Sequence, residues 1–276
     1  MWGEESKLAA HRLQANNERP TVSPSAPPEI YKRTPIRLPS SLCKSSLRTY
    51  FDWEDSWNDD YAKRPVLLDS FSGSGGCAVG YYLAGFRVIG VDKHPQPHYP
   101  FKFYQADAIE YIREHGHEFD VIHASPPCQR YSECTPMQYR ANHPDLIAAT
   151  RDSLRATGKP YVIENVENAR ALLINPVMLC GSMFGLGVWR HRYFELWPAR
   201  MILTPVCNHT ERPVLITGTT RRAARNGGRF EYSAQQCRDA SGLDWMTRKE
   251  MDEAIPPAYT EFIGSLLMEK LGYHIE

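Results

Sequence analysis

The residues best suited to chemistry lie in the middle of the chain, where Cys128 directly follows Pro126 and Pro127. Residues 119–124 have the apolar, β-rich composition of a buried strand. Two consecutive prolines must end that strand, because they remove two backbone donors and fix φ twice. A cysteine at this point lies at the carboxyl end of a strand, where open α/β sheets bind their ligands. The same thiol could simply be buried, so its assignment as a nucleophile depends on the other motifs.

Two later segments carry charged side chains that could act beside this cysteine. Residues 161–166 have a second buried-strand pattern, and Glu164 lies near its end. A buried carboxylate is costly unless it is paired or has a chemical task. Residues 190–193 alternate in a way that places Arg190 and Arg192 on one face of a strand. That strand could be a solvated edge, or it could point two cations into the cleft that holds Glu164.

Upstream of these residues lies a pattern that is typical of a cofactor-binding turn. The pattern predicts a strand at 66–69, a glycine-rich turn at 71–76, a helix at 77–86 and a second strand that ends at Asp92. Glycines allow the backbone to approach a ligand, and an acid about 20 residues further on binds ribose hydroxyls. Folds that bind NAD, FAD or S-adenosylmethionine share this pattern.

The remaining elements continue the alternation of strands and helices. Asp107 lies at the possible end of a third strand, residues 130–142 form a long polar loop, and residues 143–157 predict a helix. Residues 254–271 predict a proline-started helix that packs on the core. The order predicts an α/β fold with a doubly wound, mostly parallel sheet.

The two ends of this domain differ from it in composition. Residues 1–46 are rich in proline and serine and predict a disordered arm. Residues 199–240 predict a small, loop-rich insert, and its first part contains six arginines against one glutamate. This basic stretch could be merely solvated, or it could contact a phosphate backbone. We therefore divide the chain into the arm, a catalytic domain at 47–198 and 241–276, and the insert.

Composition limits the class of protein further. Among the 276 residues, 32 Lys and Arg balance 32 Asp and Glu, so no overall basic field attracts a polyanion. Seven cysteines without a CxxC pair favour free thiols in a reducing compartment. The sequence has neither the apolar core of a signal peptide nor the ~20 apolar residues of a membrane span. We expect a cytoplasmic monomer with no membrane partner.

One pair of residues raises the question of a metal. Cys207 and His209 form a C-x-H pair, which Cys180 or Cys237 could join in space. A structural zinc site needs four ligands, and two neighbouring candidates do not supply them. We predict no metal site.

Taken together, the motifs resemble those of the DNA (cytosine-5)-methyltransferase family, in a compact member of phage or bacterial type. The resemblance depends on residues 71–76, Asp92, Asp107, 126–129, 164–166 and 190–192. It runs from about residue 66 to 197 and resumes near 255–271. It implies a Rossmann-like class I methyltransferase fold, S-adenosyl-L-methionine as cofactor, double-stranded DNA as partner and a role in restriction-modification or phage DNA modification.

The resemblance also implies roles for individual residues. The cofactor would be held by Phe71, Gly73, Gly75, Gly76, Asp92, Asp107 and Pro127. Cys128, with its pKa lowered by nearby positive charge, would add to C6 of a flipped-out cytosine. Glu164 would protonate N3, Arg192 would bind O2 and orient Glu164, and Arg190 would support the site.

DNA would be contacted by Gln129, Arg130, Ser132, Asn165, Arg221, Arg222 and Arg225. Two features depart from the family pattern. Arg130 replaces the usual glycine, and the short insert at 199–240 replaces a large target-recognition region. Since each bidentate base contact discriminates by ~1–3 kcal/mol, we expect a target of only about two to four bases, or loose specificity.

The same residues are compatible with other functions. An RNA cytosine-5 methyltransferase would share the same site, and a catalytically silent regulator that binds cofactor and docks on DNA would share the fold. A nicotinamide or flavin oxidoreductase explains the glycine-rich turn but gives no purpose to Cys128 and Glu164. A zinc deaminase needs P-C-x-x-C, which the spacing of Cys128 and Cys134 does not provide.

Overall fold

The computed structural model describes residues 62–199, 201–216 and 232–273. Three of the predicted features lie outside these residues: the arm at 1–46, the start of the catalytic domain at 47–61, and the arginines Arg221, Arg222 and Arg225.

Within the described residues the chain builds a seven-stranded sheet in the order β3-β2-β1-β4-β5-β7-β6. The strands are β1 (Val66–Ser70), β2 (Arg87–Asp92), β3 (Lys102–Gln105), β4 (Val121–Ala124), β5 (Tyr161–Asn165), β6 (Val177–Leu179) and β7 (Arg192–Trp197). Strands β3, β2, β1, β4 and β5 run parallel, whereas β7 is antiparallel to both β5 and β6. The predicted α/β class with a mostly parallel sheet is confirmed.

Helices connect these strands and cover the sheet. They are α1 (Gly76–Leu83), α2 (Ala108–His115), α3 (Met137–Arg140), α4 (Ile147–Ala156), α5 (Ala234–Ser241), α6 (Arg248–Glu253) and α7 (Pro257–Lys270). Short 3₁₀ helices lie at Gly116–Glu118, Glu167–Leu172 and Gly181–Phe184. No helix among the described residues is long and apolar enough to cross a membrane.

The strand order reverses between β1 and β4, which are neighbours in the sheet. From β1 the chain continues outward to β2 and β3 on one side, and from β4 it continues to β5 on the other. Leu67 pairs with Val121 and Ser70 with Ala124, so the two strands end together. The glycine-rich turn after β1 and the double-proline loop after β4 therefore meet at the switch point of the sheet. Ligands of open α/β sheets bind in this crevice.

Helix α7 packs against α1, and small residues at the contact make this possible. A Cβ at Gly80 would clash with the Pro257 carbonyl, and a Cβ at Gly264 would lie 2.6 Å from Cβ of Ala84. The Thr260 hydroxyl donates to the Cys77 carbonyl at 2.8 Å. The predicted packing of the C-terminal helix on the core is confirmed, and α7 holds the helix that follows the glycine-rich turn.

Candidate active site

The turn between β1 and α1 has the backbone conformation of a ligand-binding loop. Gly73 and Gly75 have φ values of 48° and 84°, and Phe71 also has a positive φ of 55°. A non-glycine residue rarely adopts this region and does so at a cost in free energy, which is typical of functional turns. A Cβ at Gly75 would lie 2.7 Å from Cδ of Pro100, whereas a Cβ at Gly73 would contact nothing within 4 Å. Space is therefore open on the Gly73 side of the turn.

Asp92 ties this turn to the end of β2. Its Oδ2 accepts the backbone N–H of Gly73 at 3.1 Å, and its Oδ1 accepts that of His94 at 2.9 Å. Each carboxylate oxygen can accept a further hydrogen bond. The structure thus brings Gly73 and Asp92 together, as the pattern predicts.

Asp69 was not among the predicted site residues, yet it lies next to them. Its side chain is buried on β1 beneath the turn, where it accepts a hydrogen bond from the Tyr99 hydroxyl at 3.2 Å. Burial raises its pKa well above the usual value, the hydrogen bond from Tyr99 opposes this, and the nearby charge of Asp92 adds to it. The available signal was an acid inside an otherwise apolar strand.

Asp107 lies after β3 rather than in it, and it is the N-cap of α2. Its Oδ1 accepts the backbone N–H groups of Ile109 and Glu110 at 2.9 and 3.1 Å. Such capping fixes the carboxylate at the carboxyl edge of the sheet and leaves Oδ2 available to a ligand.

The loop after β4 folds back on itself around Cys128. The Cys128 carbonyl accepts the N–H groups of Tyr131 and Ser132 at 2.9 and 2.8 Å, which closes a tight turn. The Asn165 side chain, at the end of β5, donates to the Pro126 carbonyl at 2.9 Å. This bond fastens the loop to β5, so Asn165 positions the loop from the strand that carries Glu164.

Glu164 and Arg192 form an ion pair at the ends of β5 and β7. The Arg192 Nε lies 3.1 Å from Glu164 Oε1, and both side chains are largely buried. The angles at this contact are not those of a hydrogen bond, so Glu164 Oε1 has no hydrogen-bond partner among the described residues. Burial raises the Glu164 pKa, while Arg192, the Ser125 hydroxyl and Arg190 oppose that rise. The structure thus brings Arg192 and Glu164 together, and the orientation of Glu164 by Arg192 stays a prediction.

The expected lowering of the Cys128 pKa is wrong for the protein without a substrate. Burial raises the pKa of this half-buried thiol, the Glu164 carboxylate raises it further, and the guanidinium groups of Arg192 and Arg190 lower it. The prediction allowed for the arginines and neglected the cost of burying a thiolate beside a carboxylate. The same interactions place Cys128, Glu164, Arg190 and Arg192 within electrostatic reach of one another.

Arg190 does not share a strand face with Arg192, because β7 begins only at Arg192. The buried Arg190 guanidinium donates to the carbonyls of Met251 and Asp252 at 3.3 and 2.5 Å, in the last turn of α6. A cation is favourable at that end of a helix. Burial and the charge of Arg192 lower the Arg190 pKa to about 9. The charge of Arg190 thus favours ionisation of Cys128, while its N–H groups donate to carbonyls of α6.

A chain of hydrogen bonds runs from Tyr81 on α1 through His123 on β4 to Ser125, whose hydroxyl lies beside Glu164. The Tyr81 hydroxyl lies 2.9 Å from His123 Nδ1, and His123 Nε2 lies 2.9 Å from the Ser125 hydroxyl. Burial lowers the His123 pKa to about 3, so this imidazole is neutral. If Tyr81 donates to His123 and His123 donates to Ser125, the Ser125 hydroxyl is left to donate to Glu164. None of these three residues was a predicted site residue, although a histidine inside an apolar strand is a visible signal.

The polar side chains of the 130–142 loop make contacts within the protein. Arg130 Nη1 donates to the His143 carbonyl at 3.0 Å, and the Ser132 hydroxyl accepts the Cys134 N–H at 3.2 Å. Gln129 and Pro127 are half-buried beside Cys128. This loop lies next to the thiol and contains the short helix α3 rather than a continuous irregular segment.

The metal prediction counted only two neighbouring ligands, and the fold corrects that count. It brings together the side chains of Cys180, His191, Cys207 and His209, whose ligand atoms all lie within 4.8 Å of one another. The register explains why: Leu179 on β6 pairs with Arg192 on the antiparallel β7, so the next residue on one strand faces the preceding residue on the other. Cys237 stays apart and accepts a hydrogen bond from Arg248 at 2.6 Å.

Comparisons with known proteins identify the fold. No protein-family model matches the sequence, and no curated protein matches it. A protein described as a DNA modification methyltransferase encoded within an E. coli prophage has a similar structure, with a TM-score of 0.53, 14% identity and coverage of 75% of this chain and 99% of that one.

Two further structures are similar. S. pombe Dnmt2 methyltransferase gives a TM-score of 0.51 at 15% identity, covering 76% of this chain and 100% of that one. Entamoeba histolytica methyltransferase EhMeth gives 0.50 at 14% identity, covering 76% and 99%. At these identities the likeness shows the fold, which is that of class I methyltransferases.

Proposed function

We propose that this chain is an S-adenosylmethionine-dependent DNA (cytosine-5)-methyltransferase that acts through Cys128. The observation that carries the proposal is the meeting of three side chains at the carboxyl edge of the sheet. Cys128 follows β4, Glu164 lies near the end of β5, and Arg192 begins β7 within 3.1 Å of Glu164. A thiol, a carboxyl group with a raised pKa and a guanidinium group are the three groups that addition to a cytosine ring requires.

The turn after β1 fits the proposed cofactor. Its open side at Gly73, the strained Phe71 and the fixed carboxylate of Asp92 form a cradle that a nucleoside can approach. We assign ribose binding to Asp92, the adenine amine to Asp107 Oδ2, and the remaining contacts to Gly75, Gly76 and Pro127. When bound, S-adenosylmethionine supplies the methyl group.

The residues of the chain would then act on the base as follows. The Cys128 thiolate forms a bond to C6 of a flipped-out cytosine, and the electron pair of the C5–C6 double bond moves towards N3. Glu164 gives its proton to N3, and Arg192 donates a hydrogen bond to O2, so negative charge does not build up on the ring. After methylation a base removes the C5 proton, the double bond re-forms, Cys128 leaves as thiolate and Glu164 regains its proton.

The electrostatics of the site support this division of roles. The Glu164 carboxylate opposes ionisation of Cys128, whereas Arg192 and Arg190 favour it. Because burial raises the Glu164 pKa, this group binds a proton more readily than an ordinary glutamate does. A protonated Glu164 leaves the two arginines as the nearest charges, and the thiolate becomes easier to form.

DNA would bind across the edge that holds Cys128. We assign contacts to Gln129, Arg130 and Ser132 in the loop after β4, and phosphate contacts to the arginines of the insert at 199–240, which completes a catalytic domain of residues 47–198 and 241–276. The prophage protein with the similar structure is described as a DNA modification methyltransferase, and this favours DNA over RNA as the substrate.

The test is direct identification of the product. Full-length protein is incubated with methyl-labelled S-adenosylmethionine and either plasmid DNA or RNA, and the modified base is identified by mass spectrometry. We expect 5-methylcytosine in DNA, and bisulfite sequencing should locate it in a short sequence context. Label in RNA alone would move the substrate to RNA, and label at N4 of cytosine or N6 of adenine would overturn the proposal.

A further inference from the structure

Four side chains that methyl transfer does not use meet where β6 ends and β7 begins. We call them the Cys2His2 cluster: Cys180, His191, Cys207 and His209. Cys180 directly follows β6, His191 directly precedes β7, and the other two lie in the irregular segment 201–216. The cluster therefore joins the edge of the sheet to the start of the proposed DNA-binding insert.

Three sulfur–nitrogen distances within the cluster match those expected around a tetrahedral zinc ion. His209 Nε2 lies 3.3 Å from Cys180 Sγ and 3.1 Å from Cys207 Sγ. His191 Nε2 lies 3.5 Å from Cys207 Sγ. With Zn–S bonds of about 2.3 Å and Zn–N bonds of about 2.0–2.1 Å, a tetrahedral site separates sulfur from nitrogen by about 3.5 Å. The three separations agree with that value to within a few tenths of an ångström.

The chemistry of the donors selects zinc among the available metals. Two thiolates and two imidazoles in a tetrahedral arrangement are typical of Zn²⁺. Two thiolates also neutralise its charge, so the ion can lie in a partly buried position. Four protein ligands leave no open position for water or substrate, which is the arrangement of a structural site rather than a catalytic one.

Neighbouring groups hold the ligands in place, as the outer shell of a metal site does. The Ser182 hydroxyl lies 3.3 Å from Cys180 Sγ and 3.6 Å from Cys207 Sγ, and it accepts the N–H of Asn208 at 3.1 Å. The Trp189 ring stacks on the His209 imidazole at 4.1 Å with an interplanar angle of 12°. Ser182 and Trp189 thus orient three of the four ligands.

We propose that the Cys2His2 cluster binds one structural Zn²⁺ and that this ion fastens the segment 201–216 to the sheet. Residues 201–216 contain no helix or strand of their own. Such a segment has little local structure to offset its ordering entropy, and two metal ligands within it supply the missing stabilisation. The arginines Arg221, Arg222 and Arg225 follow shortly after this segment in the sequence, so the ion would fix the segment that precedes them.

The proposed ion would also act on the active site through one peptide unit. Arg192 Nη1 donates to the carbonyl of the ligand His191 at 2.9 Å, and Arg192 Nε lies 3.1 Å from Glu164. Fixing the His191 ring fixes this carbonyl, and the carbonyl restrains the guanidinium group that faces Glu164. The proposed metal ligand His191 and the active-site residue Arg192 are therefore neighbours at the start of β7.

The experiment measures metal content, which does not depend on methyl transfer. Full-length protein is purified without a metal-affinity tag under reducing conditions, and zinc is determined by plasma mass spectrometry. We expect about one zinc per chain. Cys207→Ser and His209→Ala should lose it, whereas His209→Cys, which restores a four-ligand set, should keep it. Cys134→Ser is the matched control, because this exposed thiol lies outside the cluster, and it should retain full zinc content.

A second measurement covers the case in which a ligand variant fails to fold. Cobalt replacement in the wild-type protein should give the absorption bands of tetrahedral, thiolate-bound Co²⁺, and Ser182→Ala should weaken zinc binding about tenfold. Folded wild-type protein that takes up no zinc or cobalt from added salts would overturn the proposal. Detection of a Cys180–Cys207 disulfide in place of metal in freshly prepared protein would overturn it too.

Discussion

The Nε atom of Arg192 lies 3.1 Å from Oε1 of Glu164, where β5 ends beside the start of the antiparallel β7. The antiparallel register places Asn165 opposite Tyr193, so residues 164 and 192 lie at the same edge of the sheet. This pair sets the electrostatics of the site, because the carboxylate opposes ionisation of Cys128 and the guanidinium favours it.

Replacement of Arg192 should therefore damage catalysis more than folding. Arg192→Ala removes the partner of a buried carboxylate and the proposed donor to the base O2, and we expect kcat to fall about 10²–10³-fold. Single-turnover methylation of plasmid DNA measures the effect. Arg113→Ala, on the exposed face of α2, is the matched control and should keep full activity. An Arg192→Ala protein that is fully active would remove this residue from the chemistry.

The role of Cys128 can be tested by trapping its adduct. DNA that contains 5-fluorocytosine has no removable proton at C5, so after methyl transfer the enzyme should remain bound through a Cys128–C6 bond. We expect a covalent complex on a denaturing gel with the wild-type protein and with Cys134→Ser, and none with Cys128→Ser. Active protein that never forms the complex would contradict the nucleophile assignment.

His123 makes a prediction about stability and pH. Its pKa is about 3 in the folded protein, against 6.5 for a free imidazole. The unfolded state therefore binds a proton more readily below pH 6.5, and this histidine destabilises the fold progressively as the pH falls from 6.5 towards 3. Over that window one proton corresponds to about 1.4 kcal/mol of unfolding free energy per pH unit.

Urea unfolding at several pH values measures this effect. His123→Gln should have a flatter dependence of unfolding free energy on pH than the wild type, because glutamine does not titrate. His117→Gln removes an exposed histidine and should leave the dependence on pH nearly unchanged. Equal slopes for the His123→Gln and His117→Gln proteins would show that His123 is not held neutral by burial.

The basic stretch predicts a dependence on salt. If Arg221 and Arg222 each contact one phosphate, the double variant Arg221→Ala/Arg222→Ala should bind DNA more weakly. The slope of log affinity against log salt concentration should decrease in magnitude by about 2. Fluorescence anisotropy with a labelled duplex gives the slope, and Arg113→Ala is again the control. A double variant with the wild-type slope would exclude these arginines from the DNA footprint.

Local sequence patterns were sufficient for the elements that carry the site. The predicted second strand at 87–92 is observed at Arg87–Asp92, because its apolar residues lie between a glycine-ended helix and a terminal acid. The pairing of Gly73 with Asp92 also follows from spacing, since a strand–turn–helix–strand unit of this length returns the chain beside its start. The prolines before Cys128 placed that thiol at a strand end for the same local reason.

The sequence alone therefore determined the fold class, the cofactor-type turn and the positions of Cys128 and Glu164, because glycine, proline and apolar periodicity act over a few residues. Only the tertiary structure decided which partners the charged side chains of the site have. It made Arg190 donate to a carbonyl of α6 and paired Arg192 with Glu164. It also raised the pKa of Cys128 through burial. It also gathered the Cys2His2 cluster from three segments. These relationships depend on the pairing of β6 with β7 and on packing between distant segments, which no local pattern encodes.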